Sequence, residues 1–161
     1  GGPEIEKMAV NGDEQKYQFT IPIVKSSPLD FSFSGLKTAL LYKFRVMSET
    51  EKEDNIHHLA ASYQSVILNS LFKQLNKIID ITGIKQVSVV GGVAANKRFR
   101  LMANILKNES RINMFFPAIE YCTDNAAMIA FAGYEKLKYG ICSPLTLRAK
   151  PNLALNDGEI A

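Results

Sequence analysis

The sequence predicts an α/β fold in which helices flank a short mixed sheet. Three patterns support this prediction. An apolar run at 86–90 is typical of a sheet strand, and a glycine pair separates it from a helical pattern. The segment 55–80 places apolar residues at steps of three and four, which predicts a long amphipathic helix. A second strand and helix follow after residue 112, and such alternation is typical of α/β domains.

Length, charge and cysteine content exclude several classes of protein. The chain has 161 residues, enough for one domain with its own core, and a net charge of +3. So small a positive charge does not by itself indicate a nucleic-acid-binding protein. No apolar run approaches the length needed to span a bilayer. Cys122 and Cys142 form no Cys-x-x-Cys pair, which excludes a cysteine-rich zinc site and favours reduced thiols.

The N-terminal third predicts a helix, a strand and a second helix. A proline in the first turn favours a helix that the Asn-Gly-Asp segment 11–13 ends. The segment 17–23 alternates enough to predict a strand. Phe31 and Phe33 point the same way if extended, and we expect them to anchor the core. Ser34 is then placed to cap the second helix.

The glycine pair is the first candidate ligand site. We expect the strand before Gly91 and Gly92 to be buried on both faces and a helix to run from Val93 onward. Free N–H groups at that helix start would favour a phosphate or nucleotide. A tight strand-to-helix turn without any ligand is the commoner role of such glycines. Asn96 favours the ligand interpretation, because we place it in the first helical turn, where an amide adds little stability.

A second candidate site follows the second strand. We expect a buried strand at 112–116, and a helix at 126–139 whose first half is apolar nearly all round and therefore buried. Thr123 or Asp124 would cap this helix, and capping is the commoner role. Asp124 could instead be a metal ligand, since ligands bind beyond the strand ends of open α/β sheets.

The other polar clusters are more simply explained as surface features. His57 and His58 are adjacent, hence about 100° apart on a helix, and cannot easily bind one metal from the same face. No order of residues suitable for a hydrolytic triad is present. Lys97, Arg98 and Arg100 are most simply a solvated helix face. Beside a phosphate-binding turn, however, they could also contact the phosphates of a nucleic acid.

Four segments resemble the signature blocks of the second half of the TsaD family, in the family's order and spacing. They are 1–7 (GGPEIEK), 30–38 (DFSFSGLKT), 90–96 (VGGVAAN) and 122–130 (CTDNAAMIA). TsaD proteins form threonylcarbamoyladenosine in bacterial and organellar tRNA and were long labelled O-sialoglycoprotein endopeptidase or glycoprotease. The resemblance implies an actin-like, ribonuclease-H-type ATPase fold. Residues 1–161 would be its single C-terminal lobe, with the N-terminal lobe outside this chain.

The resemblance also implies an activity and a set of site residues. The family transfers threonylcarbamoyl from threonylcarbamoyl-AMP to N6 of adenosine 37 in tRNAs that read ANN codons. The residues implied to bind the adenylate or an ATP-type nucleotide are Gly2, Glu6, Gly91, Gly92 and Asn96. Asp124 is implied to bind one divalent metal, iron or zinc, together with two histidines of the N-terminal half. No catalytic residue is assigned within the chain, and we expect the lobe alone to be folded but inactive.

The implied partners are tRNA and companion proteins of the TsaB and TsaE type, without membrane association. The implied location is the cytoplasm, or an organellar matrix in a eukaryote. A non-catalytic actin-like lobe that holds a nucleotide or a partner subunit is the alternative function. The old peptidase label has little support, because the chain offers neither a nucleophile–base pair nor a His-Glu-x-x-His zinc motif.

Overall fold

The computed structural model describes residues 1–21, 30–110 and 112–148. Its helices are α1 (Gly2–Ala9), α2 (Ser34–Val46), α3 (Glu49–Thr82), α4 (Lys97–Ser110) and α5 (Ala126–Lys138). Its strands are β1 (Gln86–Ser88) and β2 (Asn113–Phe115), each followed by a short 3-10 helix, at Gly92–Ala95 and Ile119–Tyr121. The α/β class is confirmed. The sheet within the described ranges is parallel, not mixed.

Helix α3 forms where its apolar periodicity predicts, and it begins earlier than expected. Its start is fixed by a capping box, in which the Ser48 side chain accepts from Glu51 N–H and the Glu51 carboxylate accepts from Ser48 N–H. Its end is fixed by Gly83, whose φ of 68° lies in the left-handed region that favours glycine. Local capping chemistry therefore defines both ends of the longest element.

The capping box predicts a pH-dependent start of α3. Hydrogen bonds from the backbone N–H and hydroxyl of Ser48 hold the pKa of the Glu51 carboxyl below its ordinary value of 4.5. Because the folded-state pKa is the lower one, the stabilisation is present above the unfolded-state pKa and is lost as the pH falls through the folded-state pKa. We expect hydrogen-exchange protection in the first turn of α3 to decrease between about pH 6 and about pH 3. Glu51→Gln should remove most of that decrease.

The matched control is Glu49→Gln, which removes a neighbouring carboxylate that pairs with Lys52. This variant should keep the pH dependence of the parent protein. An unchanged pH dependence in Glu51→Gln, measured as protection corrected for intrinsic exchange, would contradict the assignment to the capping box.

The main core lies between the sheet and the helices α3 and α4. Its buried residues are Leu68, Phe72, Phe99, Ala103, Leu106 and Ile112. Val87 and Val89 turn towards this core, whereas Ser88 is exposed and Val90 is 75% exposed. On β2, Phe115 of the outer face is 54% exposed. The prediction of strands buried on both faces is therefore wrong for the described residues, because α3 and α4 both cover the same face.

Helix α1 packs against the N-terminal half of α3 through small residues and backbone contacts. Ala9, Ala60 and Ala61 form the buried contact. The Nδ1 atom of His57 lies 3.0 Å from Met8 O, and Asp13 N–H donates to the Nδ1 atom of His58 at 2.9 Å. His57 is exposed, as predicted for a surface residue, and His58 is half-buried.

Helix α5 has the predicted position but not the predicted burial. None of its residues is buried, and Ile129 and Phe131 are each 67% exposed. Its cap is also different, since Asn125 Oδ1 accepts from Met128 N–H at 3.0 Å in place of Thr123 or Asp124. Within the ranges described, no helix combines the length and apolar character needed to cross a membrane.

The segment before α2 differs from its prediction in three ways. Ser34 lies inside the first turn of α2, and Phe33 takes the cap position without a side-chain hydrogen bond. The rings of Phe31 and Phe33 stack 5.8 Å apart, but Phe31 is 45% exposed, so the pair is not a core anchor. Residues 17–21 are irregular, and the rest of the predicted strand 17–23 lies outside the described residues.

Candidate functional site

The two segments predicted to carry ligand residues leave the sheet at the same edge. β1 and β2 are parallel and pair in register from Gln86 with Asn113 to Ser88 with Phe115. The carboxyl ends of parallel strands lie side by side, so the segment 89–96 and the segment 116–125 start next to each other. The strand pairing thus places the starts of both segments at one edge of the sheet.

Arg100, in the first turn of α4, connects these two segments. Its Nε donates to Ala94 O at 2.6 Å, and its Nη2 donates to Pro117 O at 2.8 Å. The guanidinium carbon lies 4.9 Å from the ring centroid of Phe116. Its Nη2 is also 3.5 Å from Sγ of Cys122, which is 2% exposed. The side chain of Arg100 therefore points into the protein, between the two segments.

The basic cluster consequently does not form one surface. Arg100 is half-buried, and Arg98 is paired with Glu14 at 2.6 Å on the side of α1. Lys97 is exposed. The prediction of a single solvated face from these three side chains is wrong for Arg100, because backbone carbonyls bind its guanidinium.

Asn96 caps α4 and does not lie in its first turn. Its backbone is extended (φ −63°, ψ 123°), and its Oδ1 accepts from Phe99 N–H at 2.8 Å. Its Nδ2 donates to the Oε1 atom of Gln64 on α3 at 3.0 Å. The helix begins at Lys97 instead of Val93, because a 3-10 helix occupies Gly92–Ala95. A nucleotide-binding role for Asn96 stays a prediction.

Glu6 occupies the N-terminus of α4. Its Oε1 accepts from Lys97 N–H at 2.7 Å, a contact between residues 91 positions apart in the chain. A carboxylate is well placed there, because the helix dipole and the unpaired N–H groups both favour an anion. The sequence predicted a ligand phosphate at the start of this helix. The carboxylate of Glu6 occupies that position instead.

The glycine turn is more open than the start of α4. Gly91 has φ 83°, and neither Gly91 nor Gly92 has any atom within 4 Å of the position that a Cβ would take. Within the described part of the chain, the N–H groups of Gly92 and Val93 donate to no backbone carbonyl. Successive free N–H groups of this kind can bind an anion. The turn is therefore the better candidate for a phosphate.

A cleft of about 620 Å³ lies between α1, α3 and the start of α4. Its charged and polar lining includes Glu6, Gln64 and Lys97. Gly2 lies in the first turn of α1, exposed and without any atom near the position of a Cβ. The cleft is large enough for a nucleotide-sized ligand.

Asp124 is exposed at the end of the segment that follows β2. Because Asn125 caps α5, the carboxylate of Asp124 is not used for capping. Within the described ranges, no three His, Cys, Asp or Glu residues are grouped as a metal site. A catalytic metal usually has three protein ligands, so these residues alone do not fit a metal centre, and Asp124 can supply one ligand only.

Comparison with known proteins assigns the family. A family model described as "TsaD: tRNA N6-adenosine threonylcarbamoyltransferase" matches residues 1–131. The chain belongs to the TsaD family. A curated relative of that description from Thermosipho africanus is 44% identical over 157 residues, which are 96% of this chain and 46% of the relative. Relatives of the same description from Thermotoga neapolitana and Kosmotoga olearia are 42% and 44% identical over 155 residues, again 96% of this chain. The chain spans about half the length of these relatives, 46% in each case.

Membership of the TsaD family confirms the resemblance found in the sequence. Among the residues that resemblance implied, the structure brings Glu6 and Asn96 together at the start of α4 and places Gly91 and Gly92 on the turn just before it. Asp124 lies on the neighbouring segment, with no hydrogen bond to the others within the described residues.

The sequence did not indicate that Gln64 belongs to the candidate site or that Arg100 points inward. Gln64 binds Asn96, and Arg100 binds the two segments at the sheet edge. Gln64 is a polar residue beside the apolar stripe of α3, and this interruption was the available signal. No local signal distinguishes an inward-pointing Arg100 from an exposed one.

Proposed function

We propose that this chain is the C-terminal part of a tRNA N6-adenosine threonylcarbamoyltransferase and supplies the adenylate-binding side of its active site. The substrates are then threonylcarbamoyl-AMP and adenosine 37 of ANN-decoding tRNA. The observation that supports this most directly is the meeting of Glu6 and Asn96 at the start of α4, where Glu6 Oε1 lies 2.7 Å from Lys97 N. Family membership and the description of the curated relatives supply the chemistry.

In this proposal the adenylate lies along the cleft with its phosphate at the glycine turn. The N–H groups of Gly92 and Val93 donate to the phosphate, and the absence of Cβ atoms at Gly91 and Gly92 allows the close approach. Glu6 is kept away from the phosphate by charge repulsion, and its carboxylate is suited to accept from ribose hydroxyls. Gly2, which is exposed and has open space at its Cβ position, is proposed to contact the nucleoside.

Asp124 is proposed as one ligand of a divalent cation, iron or zinc, whose other ligands come from outside this chain. The support is chemical. Asp124 is an exposed carboxylate beyond a strand end, and the capping role that competed for it belongs to Asn125. The single ligand also favours a second candidate function, an actin-like lobe that binds a nucleotide without chemistry. The partners of the first proposal are tRNA and proteins of the TsaB and TsaE type, in the cytoplasm or an organellar matrix.

The test is a chimera in which this chain replaces the matching part of the Thermosipho africanus relative. Threonylcarbamoyl transfer to tRNA is measured by analysis of digested nucleosides. We expect the chimera to be active, and Asn96→Asp and Asp124→Asn each to lower kcat/KM at least about tenfold. Asn96→Asp keeps the capping oxygen, so a loss in this variant reports the replacement of the amide by a carboxylate and not an unfolded helix.

Glu120→Gln is the matched control for Asp124→Asn, because it removes an exposed carboxylate from the same segment. It should leave transfer unchanged. A folded chimera that binds a non-hydrolysable adenylate but makes no product would favour the non-catalytic function. Full activity of Asp124→Asn would refute the metal-ligand assignment.

A further inference from the structure

The segments after β1 and β2 are joined by few backbone contacts. The last backbone hydrogen bond between them runs from Val89 N to Phe115 O, at 2.9 Å. Beyond this bond, the described part of the chain shows no backbone hydrogen bond between 90–96 and 116–125. Their relative position must therefore depend on side chains, and this region carries the glycine turn on one side and Asp124 on the other.

Arg100 supplies the missing connection. Its guanidinium donates to one carbonyl from each segment, Ala94 O at 2.6 Å and Pro117 O at 2.8 Å. The planar guanidinium holds its donors in a fixed geometry, so two bonds from one group fix the separation of the two acceptors. A lysine has a single nitrogen at the end of a flexible chain and cannot reproduce that constraint.

The surroundings of Arg100 are those of a structural bracket and not of an ion pair. The guanidinium rests on the ring of Phe116, at 4.9 Å, and one nitrogen lies 3.5 Å from the Sγ of Cys122. Within the described residues, no carboxylate forms a salt bridge with it. Its charge is met by carbonyl dipoles and an aromatic face, all belonging to the two segments and to no other element.

We infer that Arg100 is a positioning residue, which sets the separation between the glycine turn and the segment that carries Asp124. The effect of Arg100 on catalysis rests on the proposed function. The connection itself rests on the contacts of Arg100. If a nucleotide binds at the turn and a cation at Asp124, their separation then depends on Arg100, which touches neither. Errors of about 1 Å in such a separation are enough to cost large factors in rate.

The first test measures the separation directly. Spin labels are attached at Val93→Cys and Glu120→Cys, both exposed positions, in a Cys142→Ser background; Cys122 is buried and should stay unlabelled. Pulsed electron double resonance gives the label–label distance distribution. We expect Arg100→Met and, to a smaller extent, Arg100→Lys to broaden the distribution at least about twofold.

Arg98→Met is the matched control, since it removes an arginine of the same helix turn whose partner is Glu14. Its distribution should equal that of the parent protein. If Arg100→Met fails to fold by circular dichroism, Arg100→Lys decides the question. An unchanged distribution in a folded Arg100 variant overturns the inference.

The second test is catalytic and uses the active chimera. Arg100→Lys should lower kcat at least about tenfold while KM for tRNA changes less than about twofold, because the lost term is orientation and not binding. The kcat values are divided by the fraction of each preparation that binds nucleotide. A variant that is merely unstable would lower this fraction and leave the normalised kcat unchanged. A broadened distance distribution with unchanged kcat would refute the positioning role. A parent chimera without activity would refute the proposed function. The spin-label distances would then be the test of whether Arg100 holds the two segments together.

Discussion

Replacing Phe99 by alanine is expected to lower the free energy of unfolding by about 3–5 kcal/mol. Phe99 is 5% exposed and lies where α3, α4 and β2 meet. Its ring centroid is 4.8 Å from that of Phe72 and 6.1 Å from that of Phe116. Alanine would leave a cavity between these rings, so both the transfer free energy of the ring and its packing contacts would be lost.

The measurement is urea unfolding followed by far-ultraviolet circular dichroism. The dependence of the unfolding free energy on urea concentration should be the same in the variant and the parent protein. Phe131→Ala is the matched control, because Phe131 is 67% exposed on α5. It should change the unfolding free energy by less than about 0.5–1 kcal/mol. Equal losses in the two variants would contradict the described core and would mean that α5 is covered in the folded chain.

Phe99 and Phe131 also show how far the sequence predicts the fold. The helical periodicity places Phe99, Met102, Ala103 and Leu106 on one side of α4. Three of them are buried, and Met102 is half-buried against the same core. Periodicity reports which residues of a helix can be buried together. It does not report whether a partner is present, and α5 is apolar nearly all round yet exposed within the described structure. The position of a helix was therefore predictable from local sequence, whereas its burial was not.

In the candidate site, too, contacts between residues distant in the chain could not be predicted from local sequence. Thr123, Asp124 and Asn125 are all good capping residues, and their intrinsic preferences differ too little to identify which one caps α5. The contact of Glu6 with Lys97 joins residues 91 positions apart, and no local pattern encodes it. The family resemblance implied a site role for Glu6, but only the packing of α1 explains how Glu6 reaches the start of α4.

The packing of α1 leads to the second large effect, at Gly12. A Cβ at this position would overlap the carbonyl oxygen of His57 and would lie 2.7 Å from the Cβ of Ala61. Both neighbours belong to α3 and one is backbone, so neither can move without bending the helix. We expect Gly12→Ala to lower the free energy of unfolding by about 2–3 kcal/mol. Gly133→Ala is the matched control, because nothing lies within 4 Å of its Cβ position and alanine is the better helix former.

The consequence of Gly12→Ala should extend to the start of α4. If α1 is pushed away from α3, Glu6 moves with it and Lys97 N–H loses its acceptor. We therefore expect faster hydrogen exchange at the Lys97 amide in Gly12→Ala and unchanged exchange there in Gly133→Ala. A destabilised Gly12→Ala protein whose Lys97 amide keeps full protection would show that Glu6 reaches α4 without the α1–α3 contact. The close approach of Gly12 to His57 would then stabilise the fold without shaping the candidate site.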